Sequence, residues 1–425
     1  MMLMKRRDFL KAGTAAGAMA TLYGCAGGAR ASGHVVVVGG GYGGATVAKY
    51  LRMWSEGRVQ VTLIERNPTF ISCPISNLVI GGTRTMEDIT VSYDGLRNKW
   101  GVRVVQDEVV AVDAQKRSIS LKAGGAMSYD RLVLSPGIDF MWDQIPGLNN
   151  ADAQSKILHA WKAGPQTVAL RQQLDAMKDG GTFAISIPKA PYRCPPGPYE
   201  RACVVADYFK RHKPKSKVIV LDANEEVTSK KGLFTKAWDE LYKGTLEYRN
   251  NSELKDVDVK THTAILEFDK FRADVLNVIP PQRAGDIAAK SGLKLINNRW
   301  VDIDWLSMEA NGTPGVHVLG DAIFPAPTMP KSGHMANQHG KLAAAAILNQ
   351  LSGMAPSPTP VVMNTCYSFV DAKQAIHVAS VHQYDAATKV VQPVKGAGGV
   401  SAARSELEGK VAIGWAKNIW ADMLA

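Results

Sequence analysis

The residue pattern predicts an α/β chain, with two Rossmann-like dinucleotide-binding units followed by a small α+β C-terminal domain. Three stretches carry that expectation. Val35-Val36-Val37-Val38 is a continuous β-branched run suited to a parallel strand buried on both faces, and Gly39, Gly41 and Gly44 follow it in G-x-G-x-x-G spacing. A second strand-helix-strand pattern runs from Gly181 to Asp222. After Gly353, alternating strand patterns and a closing helix form a third region. The 425 residues, 46% hydrophobic and 21% charged, have ordinary globular proportions and suffice for two or three packed cores.

In the first unit the glycines open a helix that continues through Arg52, and a strand from Val59 to Ile64 ends at Glu65. The glycines permit a tight turn and close backbone approach to a pyrophosphate, which the positive helix N-terminus attracts, while an acid at Glu65 is placed to bind a ribose hydroxyl. Strand, glycines, helix, strand and acid together point to a dinucleotide; the glycines alone would not.

Distant sequence chooses the nucleotide. Tyr129 to Gly137 reads as a strand entering a tight turn, and Thr313 to Ala322 reads as a strand ending in Gly320-Asp321. The first resembles the strand and turn at which two-dinucleotide-fold flavoproteins leave their FAD domain, and the second resembles their closing FAD motif. Such a discontinuous domain resembles the glutathione-reductase type, the pyridine nucleotide-disulfide oxidoreductase superfamily. Pro330-Lys331-Ser332-Gly333 then opens an alanine-rich helix through Leu348, whose positive end in that superfamily faces the flavin. His334 and His339 on this helix read as surface histidines rather than catalytic ones.

The second unit keeps its frame and loses its cradle. Gly181 to Ile187 reads as a strand, Pro198 to Arg211 as a helix, and Val218 to Leu221 as a strand ending at Asp222. Between them "YRCPPGPYE" stands where a glycine-rich turn belongs. Pro191, Pro195, Pro196 and Pro198 remove four N–H donors and fix φ, so a nicotinamide dinucleotide should bind poorly. Cys194 lies just ahead of a helix N-terminus, an environment expected to lower a thiol pKa. A structural half-cystine is the alternative reading of the same position.

Lys5-Arg6-Arg7-Asp8-Phe9-Leu10-Lys11, a Gly/Ala-rich apolar run and Ala29-Arg30-Ala31 read together as a twin-arginine export signal over residues 1–31, with a lipoprotein-like box at Cys25 as a second processing option. The expected location is the periplasm, reached by a folded chain. Of 50 basic and 39 acidic residues the signal holds five and one, so the net charge falls from +11 to +7. That charge is spread without a basic run, which excludes a nucleic-acid binder, and no later stretch is long and apolar enough to span a bilayer.

The strings "CPPGPYERA", "HKPKSKVIVLD", "ADVLNVIPPQRAG", "MPKSGHMAN" and "NTCYS", in this order, closely resemble the flavoprotein-subunit family of flavocytochrome c sulfide dehydrogenase, from about Gly33 to the C-terminus. The resemblance implies that Cys73, in "FISCPISN", tethers FAD as an 8α-S-cysteinyl thioether, and that Cys194 and Cys366 form the redox pair facing the flavin. Hydrosulfide would open that pair, and two electrons would pass to FAD and then singly to a haem-carrying cytochrome c on a separate chain, since no C-x-x-C-H site is present. Glu200 is placed to relay the sulfide proton, or to serve as an ordinary first-turn helix carboxylate. Cys203 reads as a small apolar helix residue. The expected cofactor set is Gly39, Gly41, Gly44, Glu65, Arg66, Cys73, Val109, Ser135, Gly137, Gly320, Asp321, Lys331 and Ser332. No metal is expected.

The expected division is 1–31 signal, 32–150 first FAD part, 151–285 degenerate NAD-type domain with the cysteine loop, 286–352 second FAD part, and 353–425 C-terminal domain. In that last region Pro356 to Pro360 is a linker, Ala375 to Gln383 and Lys389 to Val394 read as strands, and Gly409 to Leu424 as an amphipathic helix with Trp415 and Trp420. Two other functions fit the same residues: a sulfide:quinone oxidoreductase, and a non-enzymatic exported flavoprotein serving a sulfur-oxidising complex.

Overall fold

The computed structural model describes residues 32–425. The export signal and the Cys25 box lie outside these residues. Val35 to Val38 form the centre of a five-stranded parallel sheet, ordered Val316–Val318, Arg131–Leu134, Gly33–Val38, Val59–Glu65 and Arg103–Gln106. Every neighbouring pair in it is parallel. The run of β-branched residues satisfies this position because both faces of the strand are covered, and Val35, Val36 and Val37 are fully buried.

The outermost strand arrives from far along the chain. Val316 pairs with Leu132 and Val318 with Leu134, which brings Gly320-Asp321 beside the Ser135–Gly137 turn. The first strand is flanked on one side by Val59–Glu65 and on the other by Arg131–Leu134, so a topological switch point lies at the Gly39–Gly41 turn. Ligands of open α/β sheets bind at such a point. The glycine spacing is a packing requirement: Gly39 has φ +95°, and a Cβ on Gly44 would stand 1.8 Å from the Gly39 carbonyl oxygen.

A second parallel sheet takes Leu246–Arg249, Lys217–Asp222, Thr182–Ile187 and Val275–Val278 in that order, with the Gly197–His212 helix packed against it. Each element foreseen from the sequence is present, with its ends moved by a few residues. The C-terminal region is a three-stranded antiparallel sheet, Val361–Phe369, Ala375–Asp385 and Val390–Val400, backed by the Glu406–Leu424 helix. Its first strand was not foreseen, because Asn364, Cys366 and Ser368 put polar residues where a strand covered by the protein ordinarily shows apolar ones.

Candidate active site

One cavity opens between the two parallel sheets and the C-terminal sheet. Its wall includes Gly41, Ser135, Gly137, Gly320, Asp321 and Ser332, and also Cys73, Cys194, Cys366 and Glu200. The Tyr42–Trp54 helix begins at this wall with no side-chain cap and no acidic residue in its first turn. Its orphan N–H groups are therefore open to an anion. Gly41 is open on its cavity side, with nothing within 4 Å of where a Cβ would stand.

Asp321 Oδ1 is buried and has no hydrogen-bond partner among the described residues. Burial pushes its carboxyl upward, with the Arg193 and Lys331 charges opposing. An orphaned acceptor at this depth calls for a hydroxyl donor, which the ribityl chain of FAD would supply. Gly39, Glu65, Arg66 and Val109 line an adjoining crevice, and Arg66 borders both spaces. Glu65 is partly committed already: Oε2 accepts from Gly40 N at 2.7 Å, and Oε1 accepts from Asn67 N at 2.8 Å. Gly44 lies off the wall and acts through close packing of the turn.

Lys331 lies beside the cavity wall. It does not line the main cavity: its ammonium donates to the Asp321 and Ile323 carbonyls at 2.9 and 2.5 Å and sits 3.7 Å from the Trp300 ring centroid. Burial draws its pKa down to about 7. Ser332 next to it N-caps the Gly333–Leu351 helix, accepting from Met335 N at 3.0 Å. His339 is a correction to the expected surface position, since it is buried with both ring nitrogens unpartnered among the described residues. The Gly333–Leu351 helix is covered on that side and presents no histidine surface there. His334 is half-buried, borders the cavity, and its Nδ1 accepts from Thr365 N at 2.9 Å.

Three cysteines that lie far apart in sequence border this one cavity. Cys73, Cys194 and Cys366 are free thiols that share this wall, and Ala163 N donates toward Cys73 Sγ at 3.5 Å. Cys194 sits in a left-handed conformation, φ +56°, and its N–H donates to the Lys331 carbonyl at 2.8 Å. The expected lowering of its pKa is reversed. Burial pushes the Cys194 thiol well up, and the neighbouring Cys366 and Glu200 charges add to that, outweighing Arg193 and Lys230. Desolvation wins because the turn places the sulfur inside the wall rather than at an exposed helix end. Cys366 Sγ donates to Asn364 Oδ1 at 3.3 Å; burial raises this thiol too, with Lys230 the largest opposing influence.

Glu200 is buried, accepting from Phe369 N at 2.8 Å and from Asn77 Nδ2 at 2.7 Å. Its carboxyl is raised, chiefly by burial. Cys203 is fully buried and accepts from Trp238 Nε1 at 3.2 Å, in keeping with an apolar helix role. Trp415 borders the cavity, whereas Trp420 is buried and donates to the Tyr42 hydroxyl at 3.1 Å.

In the second unit the proline turn offers little to a phosphate. The N–H groups of Ala190, Arg193, Cys194 and Gly197 are each taken by protein acceptors. Asp222, at the position of a ribose-binding acid, is buried and accepts from Tyr199 and Tyr248 hydroxyls at 2.7 and 3.0 Å. Arg193, Arg201 and Lys230 were not singled out from the sequence. Arg201 is fully buried and donates to Asn77, Asn277 and two carbonyls. Its adjacency to Glu200 in "YERA" was the only available signal.

Family models match three parts of the described chain and one before it. Residues 33–174 match the pyridine nucleotide-disulphide oxidoreductase model, 167–280 the central part of the sulfide dehydrogenase [flavocytochrome c] flavoprotein chain, and 358–424 the flavin-binding part of flavocytochrome c sulphide dehydrogenase. Residues 3–23 match the twin-arginine translocation signal. The flavoprotein chain of this enzyme from Chlorobaculum thiosulfatiphilum is 56% identical over 46 residues, 11% of this chain and 94% of that sequence. The chain belongs to the flavocytochrome c sulfide dehydrogenase flavoprotein family. The two matched family models describe the flavoprotein chain and the flavin-binding part of a sulfide dehydrogenase.

Mitochondrial sulfide:quinone oxidoreductases are more distant relatives of this flavoprotein family member. The one from Mus musculus is 26% identical over 322 residues, 73% of this chain and 69% of that protein. The one from Dictyostelium discoideum is 23% identical over 298 residues, and the match spans 68% of this chain and just under two thirds, 64%, of its own length. The solved sulfide:quinone oxidoreductase of Aquifex aeolicus superposes with a TM-score of 0.71 at 17% identity, covering 92% of this chain and 91% of that one, and so shares its fold.

Proposed function

We propose that the chain is an exported sulfide dehydrogenase subunit that oxidises hydrosulfide at a Cys194–Cys366 disulfide and carries FAD tethered at Cys73. The observation that supports this most is that three cysteines, from three separated parts of the chain, border one cavity with the glycine turn and Asp321. Gly41, the Tyr42–Trp54 helix N-terminus, Ser135, Gly137 and Asp321 would hold the cofactor, with Arg66, Glu65, Gly39 and Val109 around its nucleotide end. Bound FAD supplies a two-electron acceptor able to release its electrons singly, to a haem in a separate cytochrome c.

The chain's own part begins with the disulfide. Hydrosulfide attacks one sulfur, the S–S bond breaks, a persulfide forms on the attacked cysteine and the other leaves as thiolate. Glu200, whose buried carboxyl is held toward its protonated form, is the group that relays a proton beside the sulfur pair. Asn77 and Phe369 N hold that carboxyl in place. The proposed division into 32–150, 151–285, 286–352 and 353–425 is supported by the five-stranded sheet, which draws its strands from residues 33–134 and 316–318. The twin-arginine match at 3–23 supports export to the periplasm.

Steady-state reduction of cytochrome c by sulfide tests the acceptor, and acid denaturation followed by mass spectrometry of the Cys73 peptide tests the tether. Flavin should stay on that peptide, and free flavin in the supernatant would refute the tether. A quinone acceptor is the second reading, favoured by the sulfide:quinone oxidoreductases matched over most of the chain. Robust quinone reduction without cytochrome c would select it.

A further inference from the structure

The Val361–Phe369 strand carries Asn364, Cys366 and Ser368 as alternate residues on one face. Asn364 Oδ1 accepts from Ser332 Oγ at 2.6 Å and from Cys366 Sγ at 3.3 Å. On the other side of Cys366 lies Lys230. Its ammonium donates to Ser368 Oγ at 2.7 Å and to the Cys366 carbonyl at 3.1 Å. Lys230 is buried, and neither acceptor is a carboxylate.

A buried ammonium needs a nearby anion. The charged groups that face it are Cys366, Glu200, Cys194 and, from the C-terminal helix, Glu408, with Cys366 exerting the strongest pull. Glu200 already has its own donors, Phe369 N and Asn77 Nδ2, which favour its charged form against the burial that raises its pKa, whereas the Lys230 hydrogen bonds go to Ser368 and Cys366. Glu200 opposes negative charge at both sulfurs, but at Cys366 the largest relieving charge is Lys230, whereas at Cys194 it is Arg193, with Lys230 behind it. The backbone of Lys230 supplies a second observation. It sits in the left-handed region, φ +55°, just ahead of the Lys231–Leu241 helix, an unfavourable conformation for a long side chain.

We propose that Lys230 is a positioning residue that makes Cys366, rather than Cys194, the sulfur carrying negative charge when the pair is open. This rests on reading Cys194 and Cys366 as a redox pair. Hydrosulfide then attacks Cys194 Sγ and forms a Cys194 persulfide that keeps the hydrosulfide proton on its outer sulfur. As the Cys194–Cys366 bond breaks, its electron pair leaves on Cys366 as thiolate. The lower-pKa thiol is the better leaving group, so the direction of attack follows from the position of the ammonium.

The test is a short iodoacetamide pulse on the reduced, flavin-loaded protein across pH 6 to 10, roughly the range over which such thiols ionise, with mass spectrometry of the Cys194 and Cys366 peptides. Cys366 should label at lower pH than Cys194. Lys230→Met should slow Cys366 labelling about tenfold near neutral pH, a displacement of about one pH unit, and Lys230→Arg should keep the wild-type profile. Lys230→Gly removes the charge while relieving the left-handed backbone, so it should reproduce the Met profile in a protein whose circular dichroism and flavin absorbance are native. Labelling of Cys194 first, an unmoved Cys366 profile in Lys230→Met and Lys230→Gly, or an Arg profile matching that of Met would overturn the proposal. Failure of sulfide to bleach the wild-type flavin, with the labelling order as expected, would instead overturn the sulfide reading and leave the role of Lys230 intact.

Discussion

The two strand-turn-helix-strand units of this chain share a frame and differ at the turn. In the first, Gly39–Gly44 leaves an uncapped helix N-terminus and an open Gly41 at the cavity. In the second, four prolines remove donors, the N–H groups of Ala190, Arg193, Cys194 and Gly197 are spent on the protein, and Asp222 is closed off by Tyr199 and Tyr248. One turn leaves its donors open, and the other spends them on the protein and carries a sulfur. The strands and helix that surround a turn fix where a ligand can sit, and the turn decides what kind of ligand that is.

The contrast is broken most severely by removing the sulfur. Cys194→Ser should leave flavin bound, because the first unit is untouched, and lower sulfide-driven flavin reduction by ~10³-fold or more. Stopped-flow flavin absorbance checks this, and a near-native rate would assign the second turn another task. Gly44→Ala attacks the other turn. Its methyl would meet the Gly39 carbonyl, so stability should fall by about 1–3 kcal/mol with loss of flavin, as read by urea unfolding and flavin absorbance.

Glu200→Gln sharpens the comparison through pH. Burial raises the Glu200 carboxyl above its ordinary value of 4.5, so the folded state holds a proton that the unfolded chain has released. Stability is then greatest below that value and is lost as pH rises through the raised pKa. The variant should show a flatter decline above about pH 4.5 in urea unfolding, and a slope equal to wild type would refute the assignment. The smallest effect belongs to NADH. Millimolar NADH should leave the flavin oxidised in an anaerobic spectrum, whereas bleaching would mean that the proline turn still cradles a dinucleotide.

What was legible in the sequence follows from the range of the physics involved. Gly39, Gly41 and Gly44, and the prolines around Cys194, act through their own backbone dihedrals and donors, so their meaning could be read in place. The parallel strands were visible as β-branched runs. The convergence of Cys73, Cys194 and Cys366 was not a matter of spacing, and came only through resemblance to a family. The reversal at Cys194 was hidden because a helix end one turn away is local information, whereas burial by distant parts of the chain is not. Lys230, Arg201 and the coverage of His339 were illegible for the same reason: each is a long-range contact of a residue type that is usually exposed.

Peptide mapping without reductant, before and after one equivalent of sulfide under anaerobic conditions, bears most directly on the sulfur pair. The expected result is a linked peptide joining Cys194 to Cys366 in the oxidised protein, replaced after sulfide by unlinked peptides of which one has gained a single sulfur atom. Two unlinked, alkylatable cysteines in the fully oxidised protein, unchanged by sulfide, would contradict the account.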